Sequence, residues 1–105
     1  MIRADFKMSR SGSCVGFSVK GHSGYSDSGS DIVCASVSSA VMLAVNTAAD
    51  YFSVDLGLDV SDGNICCKVK EASETSDKLM ASLRAHLEEV SKEFPDYLKV
   101  NISEV

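Results

Sequence analysis

From Ile32 to Ala49 the chain carries no charged residue, and Asp31 and Asp50 bracket the run. A stretch of this length approaches a bilayer span. Its composition argues against that use, because Ser36, Ser38, Ser39, Asn46 and Thr47 interrupt it and alanines supply much of its apolarity, so insertion would gain little. The run predicts instead a helix from Ile32 to about Phe52, apolar on most of its circumference and therefore packed on more than one side. No membrane association is expected, and the other elements must be arranged around this helix.

They arrange themselves as strands on either side of it. Ile2, Ala4, Phe6 and Met8 alternate with Arg3, Asp5 and Lys7, and Val15, Phe17 and Val19 alternate with Gly16, Ser18 and Lys20. This period of two marks half-buried strands. After the helix, Val54, Leu56, Leu58 and Val60 form one face of a third strand, and Ile65, Cys67 and Val69 one face of a fourth, with Asp62-Gly63 as the hairpin turn between them. A second helix from about Glu74 to Phe94 places Leu79, Leu83, Leu87, Val90 and Phe94 at three- and four-residue intervals, and Pro95 ends it. Leu98, Val100 and Ile102 make a short last strand. Each strand has a single apolar face. The predicted class is therefore α+β, a two-layer sandwich in which two helices cover one side of a mainly antiparallel sheet, in the order β-β-α-β-β-α-β. Apolar surface on the central helix beyond what the sheet and second helix cover favours a homodimer.

A chain of 105 residues suits one domain, 1–105, with a modest core. A net charge of -5 with interspersed signs argues against direct nucleic-acid binding. The start, Met1-Ile2-Arg3-Ala4-Asp5, lacks the apolar core of a signal peptide, so a reducing cytoplasm and free thiols are expected. Cys14, Cys66 and Cys67 have no metal-ligand spacing, and adjacent Cys66 and Cys67 on a strand point to opposite faces. No zinc site and no cofactor are expected. His86 borders the apolar stripe of the second helix and reads as a stripe-edge residue.

Reactive chemistry concentrates before the central helix. Asp31 is a preferred N-cap type, which puts Ile32, Val33 and Cys34 on the first turn, where unpaired N–H groups and the helix dipole favour an anion. The Cys34 thiol is expected to ionise more easily there than a free thiol. His22 lies upstream in a loop that holds Gly21, Gly24 and Gly29, residues that let the chain fold back and bring the imidazole to the sulfur. A helix-start cysteine is ordinarily a small buried residue and a loop histidine ordinarily a solvated one. Against that stands the loop itself, since long glycine-serine loops on a scaffold are where binding and catalytic residues gather.

The segment with Gly21-His22, Gly29-Ser30-Asp31-Ile32-Val33-Cys34-Ala35 and Val37-Ser38 resembles the ribosomal-processing cysteine proteases of Firmicutes and related bacteria, and length and element order resemble that family end to end. The resemblance implies an endopeptidase that removes a short N-terminal extension from the precursor of the twenty-seventh large-subunit ribosomal protein. It implies a catalytic dyad at His22 and Cys34, with Asp31 at the family's acidic position, read as helix cap and loop organiser. It further implies cleavage after paired aromatic residues and before a small one, hence an apolar cleft, and a homodimer with a mobile active-site loop. Ser23, where many relatives carry alanine, and Tyr25-Ser26-Asp27-Ser28 depart from the commoner loop.

In such a site the backbone N–H groups at the helix start, that of Cys34 included, are the nearest candidates for an oxyanion hole. Ser38, one turn beyond Cys34, could contact substrate or pack, and packing is the expectation because helix serines often bond their own backbone. A ribosome-assembly binding module, or a redox sensor pairing Cys34 with Cys14, Cys66 or Cys67, are the alternatives.

Overall fold

The computed structural model describes residues 1–22, 24, 26 and 31–105. The expectations for Ser23, Tyr25, Asp27, Ser28, Gly29 and Ser30 lie outside the described residues.

The elements follow in the expected order: β1 (Ile2–Met8), β2 (Cys14–Lys20), α1 (Ile32–Asn46) continued by a π-helical turn (Thr47–Tyr51), β3 (Leu56–Ser61), β4 (Asn64–Val69), α2 (Glu74–Glu93) and β5 (Leu98–Glu104). The strands form one sheet in the order β3-β4-β2-β1-β5. All neighbours are antiparallel except β1 and β5, which run parallel because α2 carries the chain back across the sheet. This is the two-layer α+β arrangement read from the sequence.

One face of the sheet makes the core. Ala4 pairs with Val19 and Phe6 with Phe17 across β1 and β2, and the two phenyl rings meet with centroids 5.5 Å apart. Along β2 the alternation breaks. Lys7 pairs with Gly16 but Met8 with Cys14, which leaves Val15 as the extra residue of a bulge. Cys14 is consequently buried and Val15 only half-buried, where the period of two assigned the inward position to Val15. A bulge shifts inward and outward positions by one residue, and nothing in the local apolar pattern announces it.

The helices cover that face. α1 buries Val33, Val37, Val41 and Val45, a ridge at four-residue spacing that lies along one side of the helix. α2 buries Met80, Leu83 and Leu87. The capping box at its start is reciprocal: Ser76 N–H donates to Ser73 Oγ (3.1 Å) and Ser73 N–H to Ser76 Oγ (2.8 Å), so fully buried Ser76 is satisfied. Asp77 on the next turn accepts from Ser13 Oγ and Cys14 N–H, both at 3.1 Å, and ties α2 to the start of β2. α2 ends at Glu93, with Phe94 as its C-cap ahead of Pro95.

α1 packs on two sides, against the sheet and against α2, and part of its apolar circumference lies beyond both. Together with the π-helical turn, over Ile32–Tyr51, it has the length and apolarity to cross a membrane, and its valine ridge is in the core, but Leu43 is 70% exposed and Ile32 51%. Two layers of this thickness present one sheet face and one neighbouring helix to α1, so the rest of its circumference stays uncovered.

Cys14 and Cys67 are interior thiols. Burial pushes the Cys67 thiol from its ordinary 9.0 up to about 11, with Cys14 adding to the effect. Cys14 is raised as well, by burial first and by the Asp77 carboxylate, against lowering influences from a backbone hydrogen bond with Gly16 and from Arg84. The stabilisation from keeping Cys67 neutral is complete below pH 9 and is lost as pH rises towards 11, because the unfolded chain ionises first. Urea midpoints measured from pH 8 to 11 should therefore fall less steeply for Cys67→Ala than for the unaltered protein. Alkylation followed by peptide mapping at pH 8 should label Cys34 and Cys66 before Cys14 and Cys67.

Candidate active site

Two local devices place the residues singled out by the sequence. The first is the cap of α1. Asp31 has extended backbone (φ -75, ψ 102), is itself buried, and its Oδ1 accepts from Val33 N–H and Cys34 N–H, each at 3.0 Å. Ala35 N–H donates to the Asp31 carbonyl at 3.1 Å. The helix thus starts where the sequence put it, and Cys34 stands on the first turn, half-buried.

The second device holds His22 at the end of β2. Gly21 has φ +95 and its N–H donates to the Gly63 carbonyl at 2.8 Å. A Cβ on Gly21 would come within 2.5 Å of the Met1 carbonyl oxygen. Only glycine meets both the left-handed φ and that close approach. The His22 carbonyl in turn accepts from the Met1 amine at 2.6 Å. The backbone on both sides of the imidazole is therefore fastened to neighbouring chain.

His22 and Cys34 line one cavity of about 240 Å³, with Ser38 beside Cys34 on its wall. The β3–β4 turn closes it from the other side through Asp62, Gly63 and Asn64, and Val19, Val37, Val60 and Ile65 give it apolar walls. Val60 is 56% exposed although it lies on the core side of β3, because the helix layer stops short of that edge strand. The cavity therefore combines a thiol, an imidazole and apolar surface open to solvent.

Several sequence expectations meet the geometry differently. Cys34 N–H is bonded to the Asp31 carboxylate, so the helix-start donor expected to serve an oxyanion is already engaged and reaches one only by sharing or exchanging that bond. Ser38 is exposed on the cavity wall rather than packed. The β3–β4 turn was legible as a hairpin from Asp62-Gly63 but not as a wall of the site, since that role comes from β4 pairing with β2: Lys20 stands opposite Asn64, which brings the hairpin turn beside the end of β2. His86 is exposed and borders a separate groove with Leu43, Ala44 and Leu83 between the helices, as a stripe-edge residue would. Among the described residues no group of three His, Cys, Asp or Glu side chains could hold a metal ion.

The cap has a measurable share in this architecture. Asp31→Ala removes the acceptor for two first-turn N–H groups, one of them on Cys34, and should cost about 1–2 kcal/mol in a denaturant titration; Asp31→Asn, which keeps an acceptor oxygen, should recover most of it.

Comparison with known proteins gives this constellation its context. The fold matches the ribosomal processing protease Prp of S. aureus in complex with a covalently linked product peptide, with a TM-score of 0.88 and 20% identity over 98% of this chain and 100% of that one. The same S. aureus protease in complex with a substrate peptide matches with a TM-score of 0.83 and 19% identity, again over 98% and 100% of the two chains. SMU.848 from Streptococcus mutans matches at 25% identity and a TM-score of 0.80, over 100% of this chain and 96% of that one. No curated protein matches the sequence. The sequence model for the family described as cysteine protease Prp matches residues 1–99, so the chain, with its thiol and imidazole on one cavity, belongs to the Prp family of cysteine proteases.

Proposed function

We propose that residues 1–105 work as a single cysteine endopeptidase domain that removes the short N-terminal extension from the precursor of the twenty-seventh large-subunit ribosomal protein in the cytoplasm, supporting ribosome assembly. The observation that carries this reading is the meeting of His22 and Cys34 on one apolar-walled cavity in a member of a cysteine protease family. The S. aureus relative, solved with substrate and product peptides, supports a peptide as the molecule the cavity receives.

In this reading Cys34 is the nucleophile and His22 its acid and base. The Cys34 thiolate attacks the scissile carbonyl carbon and forms a carbon–sulfur bond. The His22 imidazolium gives its proton to the leaving amine as the carbon–nitrogen bond breaks. Neutral His22 then takes a proton from water, whose oxygen attacks the thioester; the carbon–sulfur bond breaks and the thiolate and imidazolium return. Asp31 orders the helix start and takes no proton. Gly21 holds the backbone turn before His22, and Ser38 is within reach of a bound peptide. Val60 and Ile65, at the open side of the cavity, suit the aromatic side chains ahead of the scissile bond. Burying one such ring against apolar walls contributes roughly 1.5–3 kcal/mol to binding.

The uncovered apolar surface of α1, with Leu43 and Ile32 exposed, supports a homodimer. Sedimentation at micromolar concentration should give a dimer, and Leu43→Glu should shift it to monomer; a monomer for the unaltered protein ends that part of the reading.

The decisive experiment is the intact mass of the ribosomal precursor after incubation with the protein and with Cys34→Ser. A single N-terminal truncation by the unaltered protein alone is expected, because a serine hydroxyl lacks the thiol's acidity and nothing else in the dyad compensates. Turnover by Cys34→Ser at the original rate removes Cys34 as nucleophile. An intact precursor with both proteins favours a binding module. His22→Ala should lower the rate by about 100-fold or more and move the pH dependence of Cys34 alkylation by iodoacetamide upward; an unchanged pH dependence removes His22 from the pair.

A further inference from the structure

We infer that Gly63, at the β3–β4 turn, is a positioning residue for the His22 imidazole; the inference rests on the reading of His22 as the acid and base. Gly63 has φ +68 and accepts from Gly21 N–H at 2.8 Å, so the turn is fastened to the residue just before His22. A Cβ built on Gly63 would lie 2.9 Å from His22 Nε2, 3.4 Å from Cε1 and 3.5 Å from Cδ2. The imidazole therefore lies over a bare α-carbon, and the ring nitrogen far from the backbone is the atom that any side chain at position 63 strikes first.

What yields in that collision decides what Gly63 is for. At Gly16 and Gly21 a Cβ would meet a backbone carbonyl oxygen at 2.5 Å, so substitution there forces the main chain to move and threatens the fold. At Gly63 the obstacle is the end of a side chain. The His22 backbone is held through its carbonyl at 2.6 Å, so relief comes from rotating the imidazole about its side-chain torsions. The fold survives such a rotation with little loss, whereas proton transfer to a leaving amine does not, because a displacement near 1 Å in a catalytic group costs up to about 100-fold in rate. Gly63 thus fixes which way the imidazole points from the wall of the cavity it shares with His22 and Cys34.

Gly12 provides the matched control. It has φ +88, also lies in a turn between strands, and has nothing within 4 Å of a Cβ built on it. Asparagine tolerates the left-handed region better than other side chains, so Gly63→Asn and Gly12→Asn share the backbone burden and differ in the collision with His22. With the precursor's N-terminal peptide as substrate, Gly63→Asn should lower kcat by about 10- to 100-fold with KM nearly unchanged, and should shift the pH profile of kcat/KM. Gly12→Asn should do neither, and the thermal midpoints of the two variants should agree. Full turnover in Gly63→Asn alongside an inactive His22→Ala overturns the positioning role and leaves the catalytic reading standing. Full turnover in His22→Ala overturns the catalytic reading itself. Unfolding of Gly63→Asn with Gly12→Asn intact overturns the inference in favour of a purely architectural glycine.

Discussion

The antiparallel pairing of β2 with β4 is the constraint on which the site depends. It sets Phe17 opposite Cys67 and Lys20 opposite Asn64, so the turn after β3 arrives beside the end of β2, distant in sequence order but adjacent in the sheet. The Gly21 hydrogen bond to Gly63 extends that pairing one step beyond the strands. His22 leaves the sheet from a fastened point, and the hairpin supplies one wall of the cavity. A different neighbour for β2 would leave the same histidine in the same loop with nothing opposite it.

The second organising interaction is the Asp31 carboxylate. A helix start is a place for an anion, and in this chain a buried carboxylate holds it through two N–H bonds, one of them from the residue proposed as nucleophile. The same contact that fixes Cys34 on the first turn competes with any oxyanion for that donor. Preorganising the sulfur and reserving the nearest N–H for the carbonyl oxygen are opposed demands on one group, and the structure meets the first of them.

Burial divides the molecule unevenly. The valine ridge of α1 and the Phe6–Phe17 pair lie in the interior, and truncating a buried ring such as Phe17 would cost about 3–5 kcal/mol. Leu43 on α1 and Val60 on β3, by contrast, are largely exposed. A two-layer sandwich with an edge strand beyond the reach of its helices leaves such surfaces open. Those at the β3 edge open onto the cavity with Cys34 and His22, and those on α1 lie outside it.

Element type and order, the cap at Asp31, the first-turn place of Cys34 and the turn at Asp62-Gly63 were all legible in the residues, because each follows from local periodicity or from the backbone preferences of a few neighbours. The likeness of the His22-to-Cys34 block to a protease family was legible for the same reason, as a pattern of consecutive residues. Tertiary structure alone decided the rest. The bulge that turns Cys14 inward, the exposure of Ser38 and Leu43 and the arrival of Gly63 beneath the His22 ring depend on which strand pairs with which and on how far two helices can cover five strands. Contacts of that kind join residues distant in the chain, and no window of sequence contains both partners.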